Sequence, residues 1–348
     1  MKFTHQFKLK SKNMIFLILF SISLLFTYVY TKLPQTKNIS SIVSFRSLHS
    51  KITLRGGGVV FGNLFSVFII YYFFIGQIDK IYAITFGICG LFATLIGFID
   101  DVYDIEARNK FLLQIMLSIL FTASYFYFNF LTTFFEKGCF LIFIIFSSWV
   151  FVSLWFINSF NFIDGINGFA IGTAIFSATA LILSLYISKE SSNFITIYSI
   201  LLIVCLGFLP FNFPSAKLFM GDAGSIFLGF IFGSTVLVIL FNNYLSVWTV
   251  FSVFSYMLAD TLSTNIIRLL TIKKWYGVHR SHAYQNLARV LNNHTKVTGG
   301  IMIYNVFYIL PLTLFTVWFS NFAIYFTIAA FLPAIIFSIK YGPLHSNK

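Results

Sequence analysis

Charge is what this sequence has least of. Only 9% of its 348 residues are Asp, Glu, Lys or Arg, where a soluble globular domain carries about 25%. That scarcity excludes a soluble fold, and no polar stretch is long enough for a separate soluble domain. Cysteine is nearly absent as well. Cys89, Cys139 and Cys205 lie within or at the edge of apolar runs, are odd in number and show no Cys-x-x-Cys spacing. They read as small packing residues, not as a disulfide set or thiolate metal site. Internal repeats and low-complexity linkers are also missing.

Apolar surface is abundant instead. Hydrophobic residues make up 58% and aromatic residues 20% of the chain, and the mean hydropathy is +0.88. Runs near the ~20 residues needed for one helical crossing recur from end to end. They predict an all-α, polytopic membrane bundle forming a single domain over residues 1–348. About eleven spans are expected, near 14–30, 59–75, 81–99, 111–130, 139–157, 169–187, 194–210, 226–241, 246–270, 301–318 and 321–339. Lys2, Lys8, Lys10 and Lys12 precede the first run, but no small-residue cleavage pattern follows it, so an uncleaved first span is expected.

With eleven crossings, loops 31–58, 100–110, 158–168, 211–225 and 271–300 share a side with the C-terminus. Loops 76–80, 131–138, 188–193 and 242–245 share the other with the N-terminus. Sixteen of the 23 Lys and Arg residues fall in or beside the first set, which marks that side as cytoplasmic. The four N-terminal lysines oppose this assignment. The formal charge of +13 is thereby explained by topology, and no nucleic-acid partner is expected. Acidic residues do little to set topology, yet seven of ten lie with the same loops: Asp100, Asp101, Asp104, Glu106, Asp164, Asp222 and Asp260. So do His49, His279, His282, His294 and His345. Carboxylates, histidines and arginines gathered on one face suit phosphate and metal chemistry.

Five motifs carry that chemistry. Asp100-Asp101-Val-Tyr-Asp104 directly follows an apolar run. Adjacent acids repel, and Mg²⁺ relieves this through one or two carboxylates plus substrate phosphates; a solvated helix end is the bland alternative. In Asn158-Ser-Phe-Asn161-Phe-Ile-Asp164-Gly165-Ile-Asn167-Gly168, steps of three keep Asn158, Asn161 and Asp164 on one side of a helix end. Gly165 and Gly168 let the backbone close around a ligand. This set suits a nucleobase or sugar, although capping explains one or two of its members. Gly221-Asp222-Ala-Gly224-Ser225 precedes a span, where Asp222 serves either as a helix cap or beside phosphate-binding N–H groups. It is not a Walker P-loop, because no Gly-Lys-Ser/Thr follows. His279-Arg280-Ser-His282-Ala-Tyr284-Gln285 fits pyrophosphate better than a nitrogen-ligated metal. Upstream, Asp260, Thr264 and Arg268 form one polar helix stripe, which a structural Asp–Arg pairing would equally explain. Finally, Arg46-Ser-Leu-His49 and Arg55-Gly-Gly-Gly58 fit either phosphates or anionic headgroups.

In this order, the segments resemble the polyprenyl-phosphate N-acetylhexosamine-1-phosphate transferases (glycosyltransferase family 4). The likeness runs from Arg46 to Gln285 and rests on the Asp-Asp pair, the Asn-x-x-Asn-x-x-Asp-Gly-x-Asn-Gly block, the Gly-Asp-x-Gly-Ser block and the His-containing last loop. His-Arg-Ser-His-Ala-Tyr-Gln is closer to the O-antigen-initiating branch than to the peptidoglycan translocase branch. Two departures stand in the first loop: Ile42-Val43-Ser44-Phe45 replaces an Asp-x-Pro-Asn-like lead-in, and Thr53-Leu54 replaces a Thr-Pro.

The resemblance implies a multi-pass protein of the bacterial inner membrane with its active site on the cytoplasmic face and an outward N-terminus. It implies transfer of an N-acetylhexosamine 1-phosphate from a UDP-sugar to undecaprenyl phosphate, with Mg²⁺ as cofactor and Mn²⁺ as a substitute. Asp100, Asp101 and Asp222 would be catalytic, Asp222 and Asp101 would bind the metal, and Asn158, Asn161, Asp164, Gly165, Asn167, His279, Arg280, His282 and Arg55 would bind substrate. Membrane lipids are the other expected partners, and a homodimer is left open. The identity of the sugar stays open, as does the choice between direct attack and an aspartyl-phosphate intermediate. A transporter of an anionic solute is the rival class; it would place polar groups at mid-span and relate two halves. The CDP-alcohol phosphotransferases require an Asp-Gly-x-x-Ala-Arg block that this chain lacks.

Overall fold

A computed structural model describes residues 2–33, 40–41, 53–130, 139–190, 192–271 and 281–344. Its helices are α1 (Lys2–Lys32), α2 (Gly58–Phe74), α3 (Lys80–Tyr103, including one π-helical turn), α4 (Ala107–Phe130), α5 (Cys139–Ile163), α6 (Phe169–Ser188), α7 (Ser192–Asn212) and α8 (Gly221–Phe241). The chain continues through α9 (Val247–Val253), α10 (Ser255–Thr271), α11 (Ala283–Leu291), α12 (His294–Trp318) and α13 (Ala323–Tyr341). Among the described residues, nine helices are long and apolar enough to cross a membrane, or ten if the bent pair α9–α10 is one span. All eleven predicted runs are helical. Helix α2, with 17 residues, measures about 26 Å at 1.5 Å per residue, slightly under the hydrocarbon thickness.

The run at 246–270 departs from a straight span. It breaks at Phe254, where α9 and α10 meet at 79°. No proline is involved. The Phe254 ring is wedged edge-on against Phe156 and Phe232, with centroids 5.0 and 5.5 Å away. Beyond the break α10 is amphipathic inside out. Asp260, Thr264 and Arg268 are buried, whereas Leu262, Ile266, Leu269 and Leu270 are exposed, as suits a helix between protein and lipid.

Helix α8 is the most deeply buried span and packs chiefly against α3 and α5. Glycines let these backbones touch. A Cβ on Gly97 of α3 would overlap the Asp222 carbonyl, one on Gly58 would overlap Gly224, and one on Gly229 would overlap Ile157 of α5. Without a hydrophobic driving force between helices in lipid, such close van der Waals approach is a main source of association.

The helix ends sort as the charge pattern predicts. At one end, Leu54 bridges to Leu218, and Phe219, Gly57 and Gly58 continue the pairing through N–H donation to Leu54, Phe219 and Met220 carbonyls at 2.8, 2.9 and 2.8 Å. Asn286 Nδ2 on α11 donates to the Tyr341 and Gly342 carbonyls, which puts the C-terminal end of α13 on this side. Tyr30 near the end of α1 also arrives here, donating to the Arg55 carbonyl, so α1 begins at the opposite end. There Asn193 donates to Asp79 at 2.8 Å and Asn242 to the Tyr125 hydroxyl at 3.0 Å.

Gly97→Ala is expected to cost about 1–3 kcal/mol through overpacking and to lower the unfolding temperature in detergent. Gly299→Ala on α12, where a Cβ meets nothing within 4 Å, should leave it unchanged or raise it. Equal behaviour of the two variants would refute the α3–α8 backbone contact.

Candidate active site

The site is built around the buried first turn of α8, whose N–H groups have no partner within their own helix. Asp101, in the last turn of α3, supplies the acceptors. Its Oδ1 accepts from the Asp222 N–H at 2.9 Å and its Oδ2 from the Ala223 N–H at 3.0 Å. One helix end thereby caps the start of another, with the negative charge at the positive end of the α8 dipole. Gly221 makes room for it: φ is +70°, and a Cβ would strike the Asp101 carboxylate.

Two cations tie the remaining carboxylates to this cap. Arg55 Nε lies 2.9 Å from Asp101 Oδ1 and Arg55 Nη2 lies 2.6 Å from Asp222 Oδ2. Lys110 Nζ is 2.8 Å from both Asp222 Oδ1 and Asp100 Oδ2. Asp100 Oδ1 also accepts from the Ile105 N–H at 3.0 Å, across the turn that Asp104 makes with φ +49°. The charges alternate as Asp100, Lys110, Asp222, Arg55, Asp101, so three buried carboxylates share two cations. Burial opposes the charge on Arg55, but Asp222 and then Asp101 outweigh it and raise its pKa.

The Asn-rich block meets Asp222 from the end of α5. Asn161 Nδ2 donates to Asp222 Oδ1 and to Ser225 Oγ, the latter at 3.2 Å. Asp164 lies one turn on. Burial above all, then the charge on Asp222, push its carboxyl well above the usual range, with Arg55 opposing. Asn158 is used differently, donating to Gln114 Oε1 of α4 and to the Leu154 carbonyl. Asn167 Nδ2 faces the Pro214 carbonyl at 3.4 Å, while the Gly168 N–H donates to Asn212 Oδ1. The 165–168 turn is thus tied to the loop before α8. Gly165 lies against Tyr284 and Gln285, where a Cβ would collide with the Tyr284 hydroxyl.

His282 closes this side. Its Nδ1 is 3.1 Å from Asp260 Oδ2, and the Ala283 N–H donates to Asp260 Oδ1 at 2.9 Å. Asp260 therefore pairs with a histidine and a helix start, where the stripe in the sequence suggested Arg268. The Tyr284 hydroxyl donates to the Phe162 carbonyl at 2.6 Å, which binds the His loop to the Asn block. His279 and Arg280 lie outside the described residues, as do Arg46, His49, Lys273, Lys274 and 42–45.

Lys110 belongs to this network although no motif in the sequence marks it. It counted there only toward topology, since a lone lysine in a juxtamembrane loop has no motif. Its signal is positional: the Asp104 turn folds α4 back beside α3.

The donor set fits a hard divalent cation. Asp222, Asp164 and Asn161 present oxygens of the preferred type, and Asp164 has burial and negative neighbours that such an ion would relieve. Asp222 and Asp101, the expected ligands, each have both oxygens engaged, Asp101 by the Asp222 and Ala223 N–H groups and Arg55, and Asp222 by Lys110, Asn161 and Arg55. A cation would take up either carboxylate only in exchange for those partners. Among the described residues no cluster of three His, Cys, Asp or Glu side chains forms a ready cage, and Mg²⁺ typically completes its shell with water and substrate phosphates.

Residues 83–241 match the glycosyl transferase family 4 profile. A probable undecaprenyl-phosphate N-acetylglucosaminyl 1-phosphate transferase of Bacillus subtilis (strain 168) is 30% identical over 343 residues, covering 89% of this chain and 88% of its own. The phospho-N-acetylmuramoyl-pentapeptide-transferase of Staphylococcus saprophyticus is 36% identical over 190 residues, 49% of this chain and 56% of its own. Its counterpart in Staphylococcus aureus (strain bovine RF122 / ET3-1) is 34% identical over 177 residues, 46% and 54% of the two chains. Near-full-length similarity, together with motif blocks that converge at one end of the bundle, places the chain in glycosyl transferase family 4, among the polyprenyl-phosphate sugar-1-phosphate transferases.

Proposed function

We propose that the protein transfers an N-acetylhexosamine 1-phosphate from a UDP-sugar to undecaprenyl phosphate, releasing UMP and leaving a lipid-linked diphosphate sugar. The product would initiate a cell-surface polysaccharide of the O-antigen type, at the cytoplasmic face of the bacterial inner membrane. The observation that carries this reading is the alternating network from Asp100 to Asp101, gathered from four separate chain segments at one end of the bundle. A transporter would need its charges at mid-span.

The chemistry asks two anions to meet, so their repulsion is the barrier the residues address. Arg55 and Lys110, astride Asp222, are the donors for the pyrophosphate oxygens, and His282, with His279 and Arg280, serves the same anion. Asn161 and Asp164, with Gly165 and Asn167 shaping the turn, hold the nucleotide sugar. Asp100 takes the proton from the lipid phosphate. The lipid oxygen then bonds to the β-phosphorus, and the bond from that phosphorus to the bridging oxygen breaks with its electron pair leaving on UMP. Asp101 keeps the start of α8, and with it Asp222, in place. Mg²⁺, or Mn²⁺ in its stead, would be held by Asp222 and Asp164 and would neutralise pyrophosphate charge as a Lewis acid.

Purified protein with undecaprenyl phosphate and a divalent cation should release UMP from at least one UDP-N-acetylhexosamine. No release from N-acetylglucosamine, N-acetylgalactosamine or 6-deoxy donors would favour transport. Asp222→Ala or Asp101→Asn should abolish turnover while the protein still inserts; near-normal turnover would remove that residue from the mechanism. Lys110→Met should lower turnover by on the order of 10²-fold or more, and Lys110→Arg should retain much of it. Equal loss in both would mean that Lys110 acts through its shape and not its charge.

A further inference from the structure

Asp260 takes no part in the reaction as described, yet it is a fully buried carboxylate on a membrane helix. Acids in that setting are rare and costly. It sits on α10, whose 79° turn at Phe254 brings the polar face inward, and its two oxygens do different work. Oδ1 accepts the Ala283 N–H at 2.9 Å and so starts α11. Oδ2 lies 3.1 Å from His282 Nδ1. The imidazole itself is buried, its ring centre 5.5 Å from that of Phe162 and 6.0 Å from that of Tyr284.

We infer that Asp260 is a positioning residue for His282: it fixes the ring's orientation and keeps a proton on Nδ1, so that proton exchange with the anionic substrate runs through Nε2 alone. The inference rests on the proposed role of His282 at the substrate phosphate. With Nδ1–H held by the carboxylate, Nε2 is the nitrogen that takes up a proton, and the imidazolium so formed donates Nε2–H to the anion, which a ring whose Nδ1 must accept from an amide does not do. A carboxylate can only accept, so the nitrogen facing it must carry the hydrogen. Capping α11 needs one acceptor oxygen; the second contact has no use in starting a helix. The same carboxylate sets where Tyr284 and Gln285 begin, because both lie in the first turn of α11. Ring and helix are therefore registered to one group, and the Tyr284 hydroxyl carries that register to the Phe162 carbonyl beside Asp164.

Asp260→Asn separates the two contacts. The Ala283 N–H requires an acceptor, which fixes the amide oxygen there and turns the NH₂ toward Nδ1. That ring nitrogen must then accept, and the neutral ring's proton moves to Nε2. Full-length protein carrying ¹⁵N-histidine, with His282 assigned by its loss in His282→Asn, reports the tautomer directly. The wild type should show Nδ1–H and Asp260→Asn should show Nε2–H, with kcat for UMP release reduced on the order of 10²-fold and KM for the nucleotide sugar changed far less. In a His282→Asn background, Asp260→Asn should cause no further loss, since the two act as one unit. Unchanged ring-nitrogen shifts in Asp260→Asn would overturn the inference while leaving the proposed reaction standing. Losses that multiply in the double variant would also overturn it. An inverted tautomer with wild-type turnover would overturn it by removing His282 from the reaction.

Discussion

The bond between the Asp101 carboxylate and the first N–H groups of α8 is the contact on which the site's geometry depends. A helix start inside a membrane protein must find acceptors, since lipid offers none. Here the acceptor comes from the end of another helix, and Arg55 from a third segment binds the same carboxylate. Asp222, immediately beside the capped amides, has no freedom to drift. The glycines at 58, 97 and 221 serve this contact, because each is a place where a side chain would push the three segments apart.

Electrostatics then decide what the pocket can accept. Three carboxylates close to one another at a membrane interface would repel, and Arg55 and Lys110 are interleaved with them to offset that repulsion. Each cation touches Asp222, so anything that competes for Asp222 frees a guanidinium or an ammonium close to it. An incoming pyrophosphate and a hard cation therefore suit the same small volume. Asp164, uneasy as an anion through burial and the charge on Asp222, marks where additional positive charge is wanted.

Much of this was legible in the sequence. The Asp-Asp pair, Asn161, Asp164 and Asp222 stand out in it by spacing and composition, and the structure brings them to one end of the bundle. What stayed hidden depends on chain reversals that no periodicity records. Lys110 reaches Asp100 only because the chain turns back at Asp104. Asp260 meets His282 where α10 swings away at Phe254, a break at which the Phe254 ring packs against Phe156 and Phe232. Arg55 is set beside Asp222 by main-chain pairing of 54–58 with 218–220, a pairing with no side-chain signature. Asn158 shows the converse: it shares the helical spacing of Asn161 and Asp164 but is used to join α5 to Gln114 of α4.

A double-mutant cycle on Arg55→Ala and Asp101→Ala, read by unfolding in detergent, tests the central contact most directly. Because Arg55 binds both Asp101 and Asp222 while Asp101 holds the start of α8, the loss in the double variant should fall short of the sum of the two single losses by on the order of 1 kcal/mol or more. Additivity within about 0.5 kcal/mol would mean that the two side chains do not act together, and the clamp that holds Asp222 would have to be abandoned.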